Sequence, residues 1–289
     1  MIVYLMSLAM TAGGFAARVA GDAKAEQLMA QARAALGGEK NLSKVQGLTA
    51  TGTYQRTMAD RQVGGEVTID LQLPDKLLRT ESMSPMGDIL IVTGQGVNGD
   101  RLLRNQRTLN GPPGVVIRTP SAPTGDAEAQ AVRSARADLA RTALAFLLAS
   151  PASLPLEFSA GGEAESDEGK ADVVDAKGAG NFAARILLDQ KTHRPLMLIY
   201  RGVAPRMVIQ TQRGPEPEGG RGGPPHDMPD APAPQIVDIT LYLDDYKAVD
   251  GVMLPHHMAR SVDGKPAEET TFKTIKLNPA FKPDTFAAK

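Results

Sequence analysis

Chemistry in this chain would have to start from four histidines, His193, His226, His256 and His257. His256 and His257 are adjacent in a stretch that reads as a strand, so their rings point to opposite faces and cannot share a metal ion. His193 falls in a turn and His226 in a Gly/Pro-dense segment, so no metal site is expected. The acidic pairs Asp244-Asp245 and Glu268-Glu269 are also neighbours along strands and read as solvated faces rather than an acid–base pair. Arg133, Arg136 and Arg141 form either a weak anion-facing stripe or, more simply, the soluble face of a helix. No nucleophile elbow, phosphate loop or zincin motif occurs. With no Cys at all, thiol nucleophiles, thiolate metal sites, disulfides and an N-terminal lipidated cysteine are excluded. The expectation is a protein that is not an enzyme and needs no cofactor.

The elements that would carry any site are mostly strands. Val67, Ile69, Leu71 and Leu73 alternate with Thr68, Asp70 and Gln72, which puts the aliphatics on one face. Val237, Ile239, Leu241 and Leu243 alternate in the same way with Asp238, Thr240, Tyr242 and Asp244. Asp250-Gly251 and Asp263-Gly264 follow where the chain should reverse, and Asn98-Gly99 is the strongest hairpin dipeptide in the chain. Further strands are expected over 49–56 (Gly52 marking a bulge), 77–83, 89–93, 101–104, 115–118, 154–158, 170–175, 182–188, 196–201, 207–212, 252–262 and 268–277.

Two helices stand apart. Residues 25–36 carry Leu28, Ala32, Ala35 and Leu36 on one side and end at Gly37-Gly38. Residues 126–150 repeat Val132, Ala135, Leu139, Ala143, Phe146 and Leu147 at helical spacing, with Asp126 as the expected N-cap and Pro151 as the stop. An amphipathic helix among strands must lay its apolar stripe on the sheet, either as a plug or as a movable lid.

Composition bounds the partners. The chain has 289 residues with 32 basic and 33 acidic side chains, so no net field would steer it to nucleic acid or an anionic membrane. It has 12 Met and 7 Phe but no Trp, which favours an adaptable aliphatic interior. Residues 2–10 form an apolar run followed by small residues, too short for a span of ~20 apolar residues. The run reads as a signal h-region without its usual preceding Lys or Arg, the alternative being a buried first element. A signal peptide over 1–23, cleaved between Ala16 and Ala23, would leave a periplasmic protein that is not integral to the membrane. Residues 214–234 are dense in Gly, Pro and charge and read as a flexible insertion within a single domain, 24–289.

Tyr246-Lys247-Ala248-Val249-Asp250-Gly251-Val252-Met253-Leu254-Pro255, then Asp263-Gly264-Lys265, Ile275-Lys276-Leu277-Asn278-Pro279 and Phe286, resemble the ending of LolA-like outer-membrane lipoprotein-sorting proteins. The resemblance continues at Ala35-Leu36-Gly37-Gly38 with Leu42, Val45, Leu48 and Gly52. Pro74-Asp75-Lys76-Leu77-Leu78-Arg79 and the turn Asp189-x-x-Thr192-x-x-Pro195 are similar as well. The resemblance implies an unclosed antiparallel β half-barrel, mainly β with helices, with an amphipathic helix across the concave face and a cavity for acyl chains. It also implies a carrier or chaperone of lipid or lipoprotein acyl chains in outer-membrane lipoprotein sorting. The alternative is an envelope sensor or protein-interaction module of the same fold, with an envelope protein as partner and no transport role. The apolar residues expected to line such a cavity are Leu71, Leu73, Ile89, Ile91, Leu139, Phe146, Leu147, Leu241 and Leu243. Each is equally readable as ordinary core.

Overall fold

Alternating hydrophobicity, punctuated by Gly and Asp, becomes a run of antiparallel hairpins in the computed structural model, which describes residues 18–58, 61–86, 89–109, 125–167, 169–203 and 235–287. Residues 1–17 of the expected signal, the strands expected at 115–118 and 207–212, the insertion 214–234 and His226 lie outside the described residues. The first half comprises α1 (Arg18–Ala35), α2 (Glu39–Leu42), β1 (Gly47–Met58), β2 (Arg61–Gln72), β3 (Lys76–Met86), β4 (Ile89–Asn98) and β5 (Arg101–Leu109). Then come α3 (Asp126–Leu147), β6 (Leu156–Ser166), β7 (Gly169–Gly178), β8 (Phe182–Asp189) and β9 (Pro195–Val203). The chain ends with β10 (Ile236–Val249), β11 (Val252–Val262) and β12 (Lys265–Leu277).

The turns are those the residue types demand. Asp250-Gly251 has φ of 50° and 82°, and Asp263-Gly264 has 46° and 74°, so both two-residue loops use positive φ at each central position. At β4–β5 the loop is Gly99-Asp100, one residue later than the dipeptide suggested, with Asn98 still paired to Arg101. Gly52 does mark a bulge: the β1–β12 register shifts between Thr51 and Gly52. A Cβ at Gly52 would lie 1.9 Å from the Thr271 carbonyl oxygen, so only glycine fits.

The described strands form one sheet in the order β5-β4-β3-β2-β1-β12-β11-β10-β9-β8-β7-β6, antiparallel throughout, with β5 and β6 at its two edges. α3 touches β2 to β5 and also β9 and β11. In a flat sheet β5 and β9 would lie roughly 38 Å apart at the usual strand spacing. The 22-residue α3 is only about 33 Å long. The sheet therefore curls around the helix. This is an unclosed β half-barrel with α3 across its concave face, and α1 fills the same side against β6 and β7.

Leu48, Leu71, Leu139, Leu144, Phe146 and Ile186 are essentially sealed between the helices and the inner face. Each such side chain is worth about 1.5–3 kcal/mol of burial. Residues of opposite parity, Val173, Leu187 and Met197, form a smaller cluster on the other face. The helix boundaries correct two expectations. Asp126 is the first helical residue rather than the cap; Gly125 takes the N-cap position, with no side-chain hydrogen bond there. α3 ends at Leu147 rather than Ser150 because Leu148 adopts a left-handed φ of 48°. Arg33 then supplies what a C-terminus lacks, donating to the Leu147 and Leu148 carbonyls at 3.2 and 2.8 Å.

The first and last described strands meet. β1 pairs with β12, and the Met253 N–H donates to the Leu36 carbonyl at 2.9 Å. Gly37, at φ 118°, abuts Gly251 so closely that a Cβ would lie 2.2 Å from its carbonyl oxygen. The glycines of Leu36-Gly37-Gly38 and of Asp250-Gly251, far apart in sequence, fit one contact.

Candidate functional site

α3 presents Ala131, Ser134, Ala135, Asp138, Thr142 and Ala145 to the sheet, a single helical stripe at i, i+3, i+4 and i+7. Nearly all of these are small, so the helix stands off the strands there instead of filling the space. Beneath it is a cavity of about 890 Å³, within the usual size for small-molecule sites of roughly 300–1,000 Å³. One part of its floor is apolar, formed by Ile69, Leu77, Leu102, Leu241, Met258 and Phe272. Phe146 closes that part from the helix, its ring centroid 5.6 Å from that of Phe272.

The other part is charged. Glu268 on β12 has a side chain only 5% exposed and accepts from three guanidinium groups. Arg56 Nε donates to it at 2.7 Å, Arg79 at 2.9 Å and Arg260 at 3.2 Å. Glu81 accepts from Arg56 and Arg79 at 2.9 and 2.7 Å, which closes the network. Arg79 on β3 reaches Glu268 across β2 and β1, a gap that the inward curl of the sheet shortens. Burial alone would raise the Glu268 pKa, but Arg79, Arg260 and Arg56 outweigh it and hold the carboxyl below its ordinary value. Burial would likewise lower Arg79, yet Glu268 and Glu81 raise it above the usual guanidinium value.

Opposite this network, Arg141 on α3 donates to Asp138 at 2.8 Å and stacks 4.1 Å from the Tyr200 ring centre. The Asp138 side chain is 60% accessible, and it lines the cavity. Burial raises the Tyr200 hydroxyl, helped by the negative charge of Asp138.

Two sequence readings are therefore corrected. Glu268 is not a solvated residue: it lies on the inner face in phase with Thr270 and Phe272, and only Glu269 faces out. Arg141 is not simply part of a soluble helix face, since it turns into the cavity; Arg133 is exposed, and Arg136 binds the Gly99 carbonyl and Asp100 at the β4–β5 turn. The missed signal was parity. Arg56 is in phase with Tyr54, Arg79 with Leu77, Arg260 with Met258 and Glu268 with Phe272, so each charge belongs to an apolar face.

Of the nine residues expected to line a cavity, Phe146 and Leu241 do so. Leu71, Leu139, Leu147 and Leu243 are buried in the main core, and Leu73 is half-buried against it. Ile89 and Ile91 are half-buried on β4 and do not border the cavity. Leu243 also borders a smaller hollow of about 220 Å³ between β7 and β10.

The three described histidines sit in separate settings. His256 is buried, with Nδ1 donating to the Leu254 carbonyl at 3.0 Å, and His257 Nδ1 is 2.9 Å from the Asp244 carboxylate. His193 sits in the turn built by Asp189, whose carboxylate accepts from the Thr192 N–H and hydroxyl at 2.6 and 2.7 Å. Among the described residues no three His, Cys, Asp or Glu are grouped as metal ligands. No described helix is long and apolar enough to cross a membrane.

No protein-family model matches the sequence, and no curated protein matches it significantly. The chain is similar to solved structures. One is the LolA superfamily protein NE2245 from Nitrosomonas europaea, at 11% identity and TM-score 0.46, covering 91% of this chain and 96% of that one. Another is an outer membrane lipoprotein-sorting protein domain from Vibrio parahaemolyticus, at 14% identity and TM-score 0.46, covering 91% and 97%. A third is a DUF1329 family protein from Desulfovibrio piger, at 8% identity and TM-score 0.46, covering 91% and 96%.

Proposed function

We propose that this protein binds lipid or lipoprotein acyl chains in the cell envelope, as a periplasmic carrier or chaperone. The observation that carries the reading is the cavity of about 890 Å³ between α3 and the sheet, apolar on one side and charged on the other. An acyl chain gains about 0.8 kcal/mol for each methylene it buries, so it binds such a wall without any catalytic group. A polar head finds partners at the arginine side, which suits an amphiphile better than a plain hydrocarbon. The N-terminal apolar run, read as a signal, and the resemblance of both ends of the sequence to lipoprotein-sorting proteins support a periplasmic setting. Each of the cavity's three carboxylates, Glu81, Asp138 and Glu268, is engaged by arginine, which supports binding rather than turnover.

Native mass spectrometry of protein purified from a membrane-containing lysate tests this. A co-purifying amphiphile released on denaturation is the expected result. Protein that arrives without ligand and takes up no acyl probe on titration would contradict it.

A further inference from the structure

The charges in the cavity wall do not balance. Arg56, Arg79, Arg104, Arg141 and Arg260 line it against three carboxylates, Glu81, Asp138 and Glu268. Four of these arginines are at least half sheltered from water, with side chains 15–30% exposed. A sheltered surplus of positive charge costs free energy unless an anion meets it. Nε of Arg141 and Nε of Arg260 are sealed within the protein with no hydrogen-bond partner among the described residues, so these two guanidinium charges are incompletely answered there. Both line the same cavity. Arg141 and Arg260 both act electrostatically on Asp138 and on Tyr200. Their other nitrogens are already fixed, Arg141 by Asp138 and the Tyr200 ring, Arg260 by Glu268. The two guanidinium groups are held in place before any ligand arrives, which lowers the ordering cost of binding.

We infer that the ligand's head group is anionic, a carboxylate or phosphate seated between Arg141 and Arg260 while its alkyl chain lies along Leu77, Leu102, Phe146 and Phe272. This rests on the proposed acyl-chain binding and adds the charge of the ligand to it. A neutral acyl ester would leave the surplus charge unanswered. A carboxylate or a phosphate monoester supplies the missing negative charge and meets the guanidinium groups of Arg141 and Arg260 that line the cavity, with no bond made or broken.

The test uses the full chain and three amphiphiles of equal chain length, dodecanoate, dodecyl phosphate and neutral dodecylglycerol, titrated below micelle formation. Both anions are expected to bind at least about tenfold more tightly than the neutral compound, as charge-assisted hydrogen bonds of ordinary strength require. Whichever anion binds better identifies the head group as carboxylate or phosphate. In Arg141→Gln and Arg260→Gln the ratio of anionic to neutral affinity should fall toward one. If either variant fails to fold, the wild-type ratio alone decides. Equal wild-type affinity for the three compounds overturns the inference and leaves acyl binding standing. Binding of none of them removes both.

Discussion

Glu268 is the residue on which the site turns, because three guanidinium groups converge on its one buried carboxylate. Removing one partner of a buried pair strands the other charges, which typically costs about 3–5 kcal/mol. Glu268→Gln should therefore lower the urea-derived stability by an amount of that order at neutral pH. The effect depends on pH with a definite sign. The folded pKa of Glu268 lies below its unfolded value, and an unfolded glutamate titrates near about 4.3. Its stabilisation is complete above that value and is lost as the pH falls through the lower folded pKa. The stability gap between wild type and Glu268→Gln should thus be constant near neutrality and close in acid; a gap that persists unchanged in acid would mean the charge is not what matters. None of this was legible from neighbours in sequence. Glu268 lies 212 positions from Arg56 and 189 from Arg79, and beside Glu269 it looked like one half of a solvated pair. Only the parity shared with Phe272 pointed inward.

At the scale of elements, α3 divides into two halves with different duties. Its N-terminal turns are exposed, and its small-residue stripe roofs the cavity, whereas Ala143 to Leu148 are all buried. The second half is core, held by Arg33 at its C-terminus. Leu139→Ala and Leu147→Ala should each cost about 2–5 kcal/mol, as buried truncations do. Amide exchange should be slow from Leu139 to Leu147 and faster over the first two turns. Uniformly fast exchange along the helix would instead make all of α3 a lid. The elements were largely legible: alternation in β2 and β10 and the Asp-Gly turns placed strands and hairpins correctly. Strand lengths were not. β6 continues to Ser166 through Gly161-Gly162-Glu163, because its ladder with β7 persists beyond the apolar residues that reveal a strand. It is an edge strand, and its outer residues carry no burial pattern to read.

For the whole molecule, the open sheet follows from hairpin succession, with one long-range decision, the pairing of β1 with β12, that brings the N- and C-terminal motifs together. The turn residues on both sides of that contact could be read in the sequence; the contact between Gly37 and Gly251 could not, because nothing local encodes it. The cavity was legible only in outline. Alternation tells which residues face inward, but a void is set by what facing elements fail to fill, here Ala131, Ser134 and Ala135 above Leu77 and Leu102. That is why four of the large aliphatics expected at the site, Leu71, Leu139, Leu147 and Leu243, lie in the core, and of the nine residues only Phe146 and Leu241 border the space. The central claim is that this space holds an acyl chain, and filling it is the most direct test. Ala131 is half-buried on the cavity side of α3, so Ala131→Trp puts an indole into the void with little effect on the sealed core. A fluorescent fatty acid titrated into wild type and Ala131→Trp, with urea midpoints measured on both, gives the answer. Wild type should bind saturably and one-to-one, and the variant should lose at least tenfold in affinity, about 1.4 kcal/mol of binding free energy, at nearly unchanged stability. Equal binding by the two proteins would contradict the claim and place the acyl chain elsewhere on the molecule.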